Sequence, residues 1–230
     1  MGCFTNKEYE GGRYEKAYVS TRACIYTCSI HTPYRMWNRK VIKIGEEGKY
    51  TGDVKFNAGD DVAAIWEESA LPELNVKAVD LKEFLEQSNG DLTALAEEYG
   101  SYSMGKSGEL SYAVKGTGTV EEVNTQSQAG YMSVKLEGYN GTESVKIQIG
   151  PVYKGSSIRD TLGFIKFGDY KNQEQWAAVS QSINEIVAKD VVGPAKPESL
   201  QGKTISFVGA FTVSSGSSDV LITPVVLEAK

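Results

Sequence analysis

The sequence predicts an α+β fold in which five short strands form a closed barrel, with one helix between the third and fourth strands. From Leu110 onward, apolar residues recur at every second position in five separate runs, which is typical of strands with one buried face. A helical run near Asn172–Lys189 separates the third run from the fourth, and helical spacing also precedes them over residues 53–108. This is the order of an OB-type Greek-key barrel preceded by a small helical segment.

Three parts of the chain follow from these patterns. Residues 1–52 are predicted to be a disordered or mis-framed leader, residues 53–108 a helical segment packed on the barrel, and residues 109–230 the OB-like barrel domain. A chain of 230 residues is long enough to bury a core of this kind. No apolar run in it approaches the roughly 20 residues that a membrane-spanning helix requires.

The first predicted helix is capped by Asp60 or Asp61, because an aspartate side chain accepts hydrogen bonds from the free amides of a first helical turn. It is expected to end at Leu71-Pro72, since proline disfavours helical backbone in the residue before it. Its buried face is predicted to consist of Val62, Ile65 and Trp66.

Two further helices are predicted before the first strand. Asp80 and Glu83 form a capping-box pattern at the start of one of them, and Asn89-Gly90 breaks it. Asp91 begins the next helix, which Gly100 is expected to terminate as a C-terminal glycine.

The barrel elements are bounded by turn and cap signals. The helix between the third and fourth strands takes Asn172 as its N-cap and Gln175 as the capping-box partner, and Trp176 is predicted to lie on its buried face. Gly193-Pro194 and Pro197 after this helix are predicted to form a linker. Asn140-Gly141 is a hairpin turn signal, and Gly116-Thr117-Gly118 is interpreted as a bulge or bend at a barrel corner. The strands are predicted at Leu110–Lys115 with Val120 and Val123 following, Gly130–Leu136, Val145–Ile149, Thr204–Val213 and Asp219–Glu228.

The charge balance and the positions of the reactive side chains exclude several functions. The net charge of −6 argues against a general binder of nucleic acid or anionic membranes, which needs a Lys- or Arg-rich face. After residue 31 the sequence contains no thiol and no imidazole, and therefore no cysteine nucleophile, Ser-His-Asp triad or ordinary zinc site. We therefore predict a non-enzymatic protein without cofactor or metal. The four reactive side chains of the leader are Cys3, Cys24, Cys28 and His31.

A phosphate-loop pattern, G-x-x-x-x-G-K-S, occurs at Gly100–Ser107. A true phosphate loop joins a buried strand to the N-terminus of a helix, so that its amides face the phosphates. Here a predicted helix precedes the pattern and the strand from Leu110 follows it. We therefore interpret the pattern as a flexible Gly/Ser connection rather than a nucleotide site.

The densest polar stretch, residues 155–173, is the predicted ligand- or partner-binding site. Arg159 and Asp160 can present a guanidinium fork and a carboxylate to a hydroxylated or charged ligand. A structural role is the alternative, in which Arg159 forms an ion pair and Asn172 caps a helix. The other predicted site residues are Phe167, Asp169, Tyr170, Asn172 and Gln173.

Carboxylates leave one catalytic alternative open. Two of the residues Asp160, Asp169 and Glu174 could act as acid and base of a glycan-acting enzyme if they faced one cleft about 5–10 Å apart. Their separation does not follow from the sequence, so this hypothesis stands beside the binding hypothesis.

The leader differs from the rest of the chain, because it is rich in Tyr, Arg and Cys and lacks helical or strand periodicity. Cys24, Cys28 and His31 complete no known four-ligand metal pattern. Met36 and Trp37 each have a single codon, and a one-base shift of the frame turns this pair into Cys followed by Gly. Only this Cys-Gly pair is forced, but allowed upstream codons can spell an apolar run ending in Ile-Gly-Cys, a bacterial lipoprotein signal. We infer that a frameshift hides this signal, which the nucleotide sequence can test.

Several runs of the barrel region resemble a known bacterial family. These runs are Gly150–Asp160, Phe164–Gln173, Val179, Ile183-Asn184, Gly202–Phe211 and Leu221–Pro224, with the shorter Ile65-Trp66, Val114–Gly116 and Val123-Asn124. From about Phe56 to Ala229 the chain therefore resembles domain-of-unknown-function family 2291, a family of predicted periplasmic lipoproteins.

The resemblance implies a lipid-anchored cysteine after a signal peptide, which the shifted frame would restore. Genes of the family are often found beside sugar ABC-transporter genes, which implies an accessory role in uptake. No activity is established for the family, so no catalytic residue carries over. We therefore expect a periplasm-facing envelope lipoprotein that contacts the membrane only through its anchor. Its expected partner is a component of a sugar or nucleoside ABC transporter, or a small hydroxylated ligand.

Overall fold

The computed structural model describes residues 56–105, 107–214, 216 and 219–230. The leader, with its four cysteine and histidine side chains and the inferred hidden signal, lies outside these residues, as does Lys106 of the phosphate-loop pattern. None of the helices that are described is long and apolar enough to cross a membrane.

The described chain begins as one continuous helical stretch. Helix α1 spans Ala58–Ile65, a π-helical turn spans Trp66–Ala70, and helix α2 spans Leu71–Lys77. The prediction that Leu71-Pro72 ends the first helix is therefore wrong. Pro72 stands in the first turn of α2, where the π turn before it absorbs the change in hydrogen bonding: the Leu71 amide donates to the Trp66 carbonyl.

The start of α1 also differs from the prediction. Asn57 occupies the cap position, and its side-chain amide donates to the Asp60 carboxylate, so neither Asp60 nor Asp61 caps the helix. Both aspartates lie in the first turn instead, where negative charge still interacts favourably with the helix dipole.

The next cap is confirmed. Asp80 Oδ1 accepts hydrogen bonds from the amides of Lys82 and Glu83, at 3.0 and 3.2 Å, and begins helix α3 at Leu81–Ser88. Helix α4, Ala96–Tyr99, follows after a turn. Two strands of two residues each, β1 at Val79–Asp80 and β2 at Ser101–Tyr102, join this segment to the barrel; such short strands leave no periodicity to predict them.

Five longer strands close into a barrel, which confirms the predicted fold class. Their bounds are β3 Leu110–Asn124, β4 Ala129–Leu136, β5 Val145–Pro151, β6 Thr204–Thr212 and β7 Val220–Ala229. Strands β3, β4 and β5 pair antiparallel in order, β5 pairs parallel with β7, and β7 pairs antiparallel with β6. Antiparallel pairing of β6 with β3 closes the ring.

The connection between β5 and β6 carries the remaining helices. Helix α5 spans Ser157–Thr161, a 3-10 turn spans Phe167–Asp169, and helix α6 spans Gln173–Ile186, which is the predicted helix between the third and fourth barrel strands. Asn172 Oδ1 accepts from the Gln175 amide at 2.8 Å, which confirms the predicted cap.

The chain after α6 is helical where a linker was predicted. A π-helical turn at Val187–Val192, helix α7 at Gly193–Ala195 and a 3-10 turn at Pro197–Ser199 fill this stretch, so the linker prediction at Gly193-Pro194 and Pro197 is wrong. Both prolines stand in the first turn of their helical element, where a missing amide removes no intrahelical hydrogen bond.

The helical segment and the barrel share one hydrophobic core. The Phe84 ring of α3 lies 4.7 Å from the Tyr112 ring of β3 and 5.9 Å from the Phe211 ring of β6, measured between centroids. Tyr112 is fully buried, and its hydroxyl donates to the Leu92 carbonyl at 2.8 Å. The helices before the barrel therefore complete its packing.

Strand β3 changes partners along its length, and Gly118 lies at the point of change. It pairs with β6 over Ser111–Thr119 and with β4 over Gly118–Asn124. A Cβ on Gly118 would lie 2.5 Å from the Lys135 carbonyl oxygen, which is closer than real contacts allow. The bend predicted at Gly116-Thr117-Gly118 thus coincides with this change of partner, whereas the bulge lies further on, between Val120 and Glu122.

We expect Gly118→Ala to destabilise the protein by about 1–3 kcal/mol, because the added methyl group would push β3 and β4 apart. Gly168→Ala is the matched control, since no atom lies within 4 Å of its added methyl group and its change should stay within about 0.5 kcal/mol. Urea denaturation of both variants measures this. Equal stability of the two variants would contradict the close approach.

Two tyrosines with buried hydroxyl groups are expected to respond oppositely to replacement by phenylalanine. Burial raises the pKa of Tyr112 and of Tyr153 to about 12, but the Tyr153 hydroxyl has no hydrogen-bond partner among the described residues. Tyr112→Phe should cost about 1–3 kcal/mol, because it leaves the Leu92 carbonyl unpaired. Tyr153→Phe should be neutral or stabilising. A comparable loss of unfolding free energy in both variants would show that Tyr153 has an acceptor after all.

Candidate functional site

A buried ion pair lies on helix α5. Arg159 and Asp160 are each 6% exposed. Arg159 Nε and Nη2 donate to Asp160 Oδ1 at 2.8 and 2.6 Å, and Nη1 donates to the Trp176 carbonyl at 3.0 Å. The guanidinium carbon also lies 3.9 Å from the centroid of the Trp176 ring. The buried cation is thus compensated by a carboxylate, a carbonyl and an aromatic face.

Contacts at both ends hold α5 in place. Ser157 Oγ donates to the Ala210 carbonyl of β6 at 3.0 Å. At the other end, the Lys77 ammonium of α2 donates to the Thr161 carbonyl at 2.8 Å. The barrel and the helical segment therefore fix the ion pair together, which neither does alone.

The second carboxylate oxygen of Asp160 differs from the first in its hydrogen bonding. Oδ2 is buried and has no hydrogen-bond partner in the described part of the chain. Burial raises the pKa of Asp160, and the Arg159 guanidinium opposes that rise through its charge and its hydrogen bonds. An unsatisfied buried acceptor costs roughly 1–3 kcal/mol, so this oxygen would gain from a hydrogen-bond donor.

Asp160 also lines a cavity of about 550 Å³, which we call the Asp160 cavity. Its volume lies within the range of small-molecule sites. Tyr102 and Met104 on one wall are 36% and 55% exposed, and Phe167 on the other wall is half-buried. The walls are formed by Gly100–Gly105, Asp160–Gly163 and Ile165–Gly168.

One wall of this cavity is the stretch that matched the phosphate-loop pattern. Its amides are engaged within the turn: Ser103 donates to the Glu109 carbonyl, Met104 to Ser107 and Gly105 to Tyr102, at 3.0–3.2 Å. These three amides therefore cannot cradle a phosphate. The connection expected to be flexible is a hydrogen-bonded turn, and Gly100 ends α4 in an extended conformation rather than the left-handed one of a C-terminal glycine.

The structure gathers four of the seven predicted site residues around Trp176. Arg159 stacks on its ring and pairs with Asp160. The Phe167 ring meets the Trp176 ring edge-on at a centroid distance of 5.7 Å, and the Tyr170 ring lies 5.3 Å from it. Trp176 is thus the common contact of Arg159, Phe167 and Tyr170, and Asp160 joins the cluster through Arg159.

The other three predicted site residues lie apart from the cavity walls. Asp169 is exposed at the end of its 3-10 turn, Asn172 serves as the cap of α6, and Gln173 is the exposed first residue of that helix. Among Asp160, Asp169 and Glu174, only Asp160 lines the cavity, and Arg159 already binds it. The geometry of these three residues therefore gives no support to a catalytic carboxylate pair.

Sequence reasoning missed part of this site. Trp176 was predicted as a core residue only, because helical spacing reports burial but not what stacks on the ring. The wall at Gly100–Gly105 was set aside with the phosphate-loop interpretation. Its Gly, Ser and Tyr composition was the available signal for a loop that lines a cavity.

The ion pair should show strong coupling. Arg159→Met and Asp160→Asn are each expected to cost about 3–5 kcal/mol, because each leaves a buried charge without its partner. The double variant should cost clearly less than the sum of the two, since no uncompensated charge remains. Urea denaturation of the four proteins gives the coupling energy, and additivity within about 0.5 kcal/mol would show that the two side chains do not act as a pair.

Comparisons with known proteins bear on the fold and the family. A solved structure with a similar fold is the crystal structure of an OB-fold protein from Thermotoga maritima, with a TM-score of 0.61, 18% sequence identity and coverage of 76% of this chain and 99% of that one. No curated protein matches the chain. The family model for predicted periplasmic lipoproteins, DUF2291, matches residues 32–228 and so begins upstream of Phe56. The chain therefore belongs to the DUF2291 family of predicted periplasmic lipoproteins, which confirms the expected family and its location in the cell envelope.

Proposed function

We propose that the protein is a non-catalytic, envelope-anchored lipoprotein that binds a small hydroxylated ligand in the Asp160 cavity and assists a sugar or nucleoside ABC transporter. One observation carries the ligand class: Asp160, one of the residues that line a cavity of suitable size, has a buried carboxylate oxygen for which the described residues provide no donor. A ligand hydroxyl would supply that donor and recover the cost of the unpaired acceptor.

The charges around Asp160 favour a ligand hydroxyl over a ligand ammonium group. Arg159 already balances the Asp160 carboxylate with two hydrogen bonds, so a second cation would meet no net negative charge. Tyr102 and Phe167 add apolar surface to the walls, as is typical of small-molecule sites that use few polar groups. A neutral polyol such as a sugar or the ribose of a nucleoside matches this combination.

Binding would require a small rearrangement. The Asp160 side chain is completely covered in the structure, so a ligand reaches Oδ2 only after a neighbouring segment shifts. Gly163 and Gly168 are exposed on the same wall, and their freedom of backbone conformation makes this segment the one we expect to move.

The accessory role rests on location. Membership of a family of periplasmic lipoproteins supports a tethered protein facing the compartment in which transporters collect their substrates. A tether raises the effective concentration of the protein at the membrane, which suits a protein that hands a ligand to a membrane complex.

A thermal-shift screen of sugars and nucleosides tests the ligand. A ligand at about 100 times its dissociation constant stabilises the folded state by about 2.7 kcal/mol, which for a chain of this size raises the Tm by roughly 5–10 °C. Lys166→Ala and Phe167→Ala, both in the cavity wall, should reduce the shift relative to the Tm of each unliganded variant.

Lys203→Ala, an exposed lysine outside this wall, is the control and should keep the full shift. The absence of any shift across sugars and nucleosides at millimolar concentration would contradict the proposed ligand class. Binding of the transporter's solute-binding protein to immobilised full-length chain tests the accessory role separately.

A further inference from the structure

A groove outside the Asp160 cavity adjoins the barrel strands. Two cavities of about 610 and 380 Å³ share Lys154, Ser214 and Leu221 in their linings, so they adjoin each other, and we call them together the Lys154 groove. It shares no lining residue with the Asp160 cavity. Each of its two parts is large enough for a small-molecule site, and together they suit an extended ligand.

A buried amide fixes the residue at the centre of this groove. Gln148 is 3% exposed, and its Nε2 donates to Thr223 Oγ1 at 2.8 Å and to the Lys154 carbonyl at 3.0 Å. Its Oε1 accepts from the Lys154 amide at 2.7 Å. The backbone of Lys154 is thereby held from both sides while its side chain stays exposed, so the barrel fixes the point from which this side chain extends over the groove.

The adjoining end of the groove offers an aromatic ring and an ion pair. Tyr131 of β4 is half-buried, and the Lys146 ammonium of β5 lies 5.5 Å from the centroid of its ring. Asp219 Oδ2 lies 3.4 Å from the same ammonium. A flat ring can pack against the apolar face of a sugar, while carboxylate and ammonium groups accept from and donate to its hydroxyls.

The charges of the groove distinguish between a polyanionic ligand and a neutral chain of hydroxylated units. Among the described residues that line the groove, Lys146 and Lys154 are matched by Glu109 and Asp219. A polyanion such as single-stranded nucleic acid or an acidic glycan needs a surplus of cations, which this balance does not provide. A neutral chain of hydroxylated units meets both signs of charge without repulsion.

We propose that the Lys154 groove binds a neutral oligosaccharide, with the Tyr131 ring packing against one sugar unit and the Lys154 ammonium donating to hydroxyls of the next. The outer face of the second and third strands serves as a chain-binding surface in other OB-type barrels, and β4 and β5 are those strands here. In this protein, the aromatic ring and the balanced charges of the groove favour a glycan over a nucleic acid. This proposal does not depend on the ligand of the Asp160 cavity.

Titration calorimetry of the full-length chain with maltohexaose, cellohexaose and chitohexaose tests the proposal. At least one of these neutral hexasaccharides should bind. Lys154→Ala should weaken it by about tenfold or more, since a hydrogen bond to a charged group contributes about 1.5–3 kcal/mol. The fold should survive this change, because Gln148 contacts only backbone atoms of Lys154.

Lys135→Ala is the matched control, because Lys135 is an exposed lysine of the same strand as Tyr131 and lies outside the groove lining. The Lys135→Ala variant should bind the hexasaccharide with the same affinity as the unaltered chain. Failure of all three hexasaccharides to bind would overturn the proposal, as would tighter binding of oligogalacturonate or of a thymidine hexanucleotide. A loss of affinity in Phe167→Ala but not in Lys154→Ala would assign the glycan to the Asp160 cavity and equally overturn it.

Discussion

Closure of the sheet is the constraint on which the rest of this molecule depends. The pairing of β3 with β6, from Ser111 with Thr212 to Thr119 with Thr204, joins strands that are far apart in sequence and converts an open sheet into a ring. A small ring of this kind has an interior that is filled by side chains, and it leaves no long edge unpaired. Both proposed ligand surfaces depend on this closure, because it fixes where the strand ends and the connecting loops meet.

The connection from β5 to α6 is built around a buried cation. An arginine without partners could not remain in this position, because the desolvation of a charge is costly. Arg159 finds its partners within its own connection, in Asp160 and in the carbonyl and ring of Trp176. Such a pair contributes little net stability compared with apolar residues of the same size, but it admits few alternative arrangements. We interpret it as the element that specifies how α5 and α6 lie against each other.

The two proposed ligand surfaces of the barrel suit ligands of different size. The Asp160 cavity is lined by a residue with a buried acceptor whose charge is already balanced, which suits a small neutral molecule. The Lys154 groove has two adjoining parts whose charges balance, which suits a longer neutral chain. In each proposal, recognition rests on side chains anchored in the barrel or its connecting segments, rather than on catalytic groups.

The sequence by itself determined the fold class, the barrel strands and the caps at Asp80 and Asn172, because strand alternation and capping act between residues only a few positions apart. It also indicated Arg159 and Asp160 as site residues, since an adjacent cation and anion are visible in the sequence itself. Only the tertiary structure decided that the helix continues through Pro72, that Trp176 covers Arg159, and that Gly100–Gly105 faces residues 160–168 across a cavity. These features depend on contacts between segments that are distant in sequence, and no local pattern encodes which distant segments the closed barrel brings together.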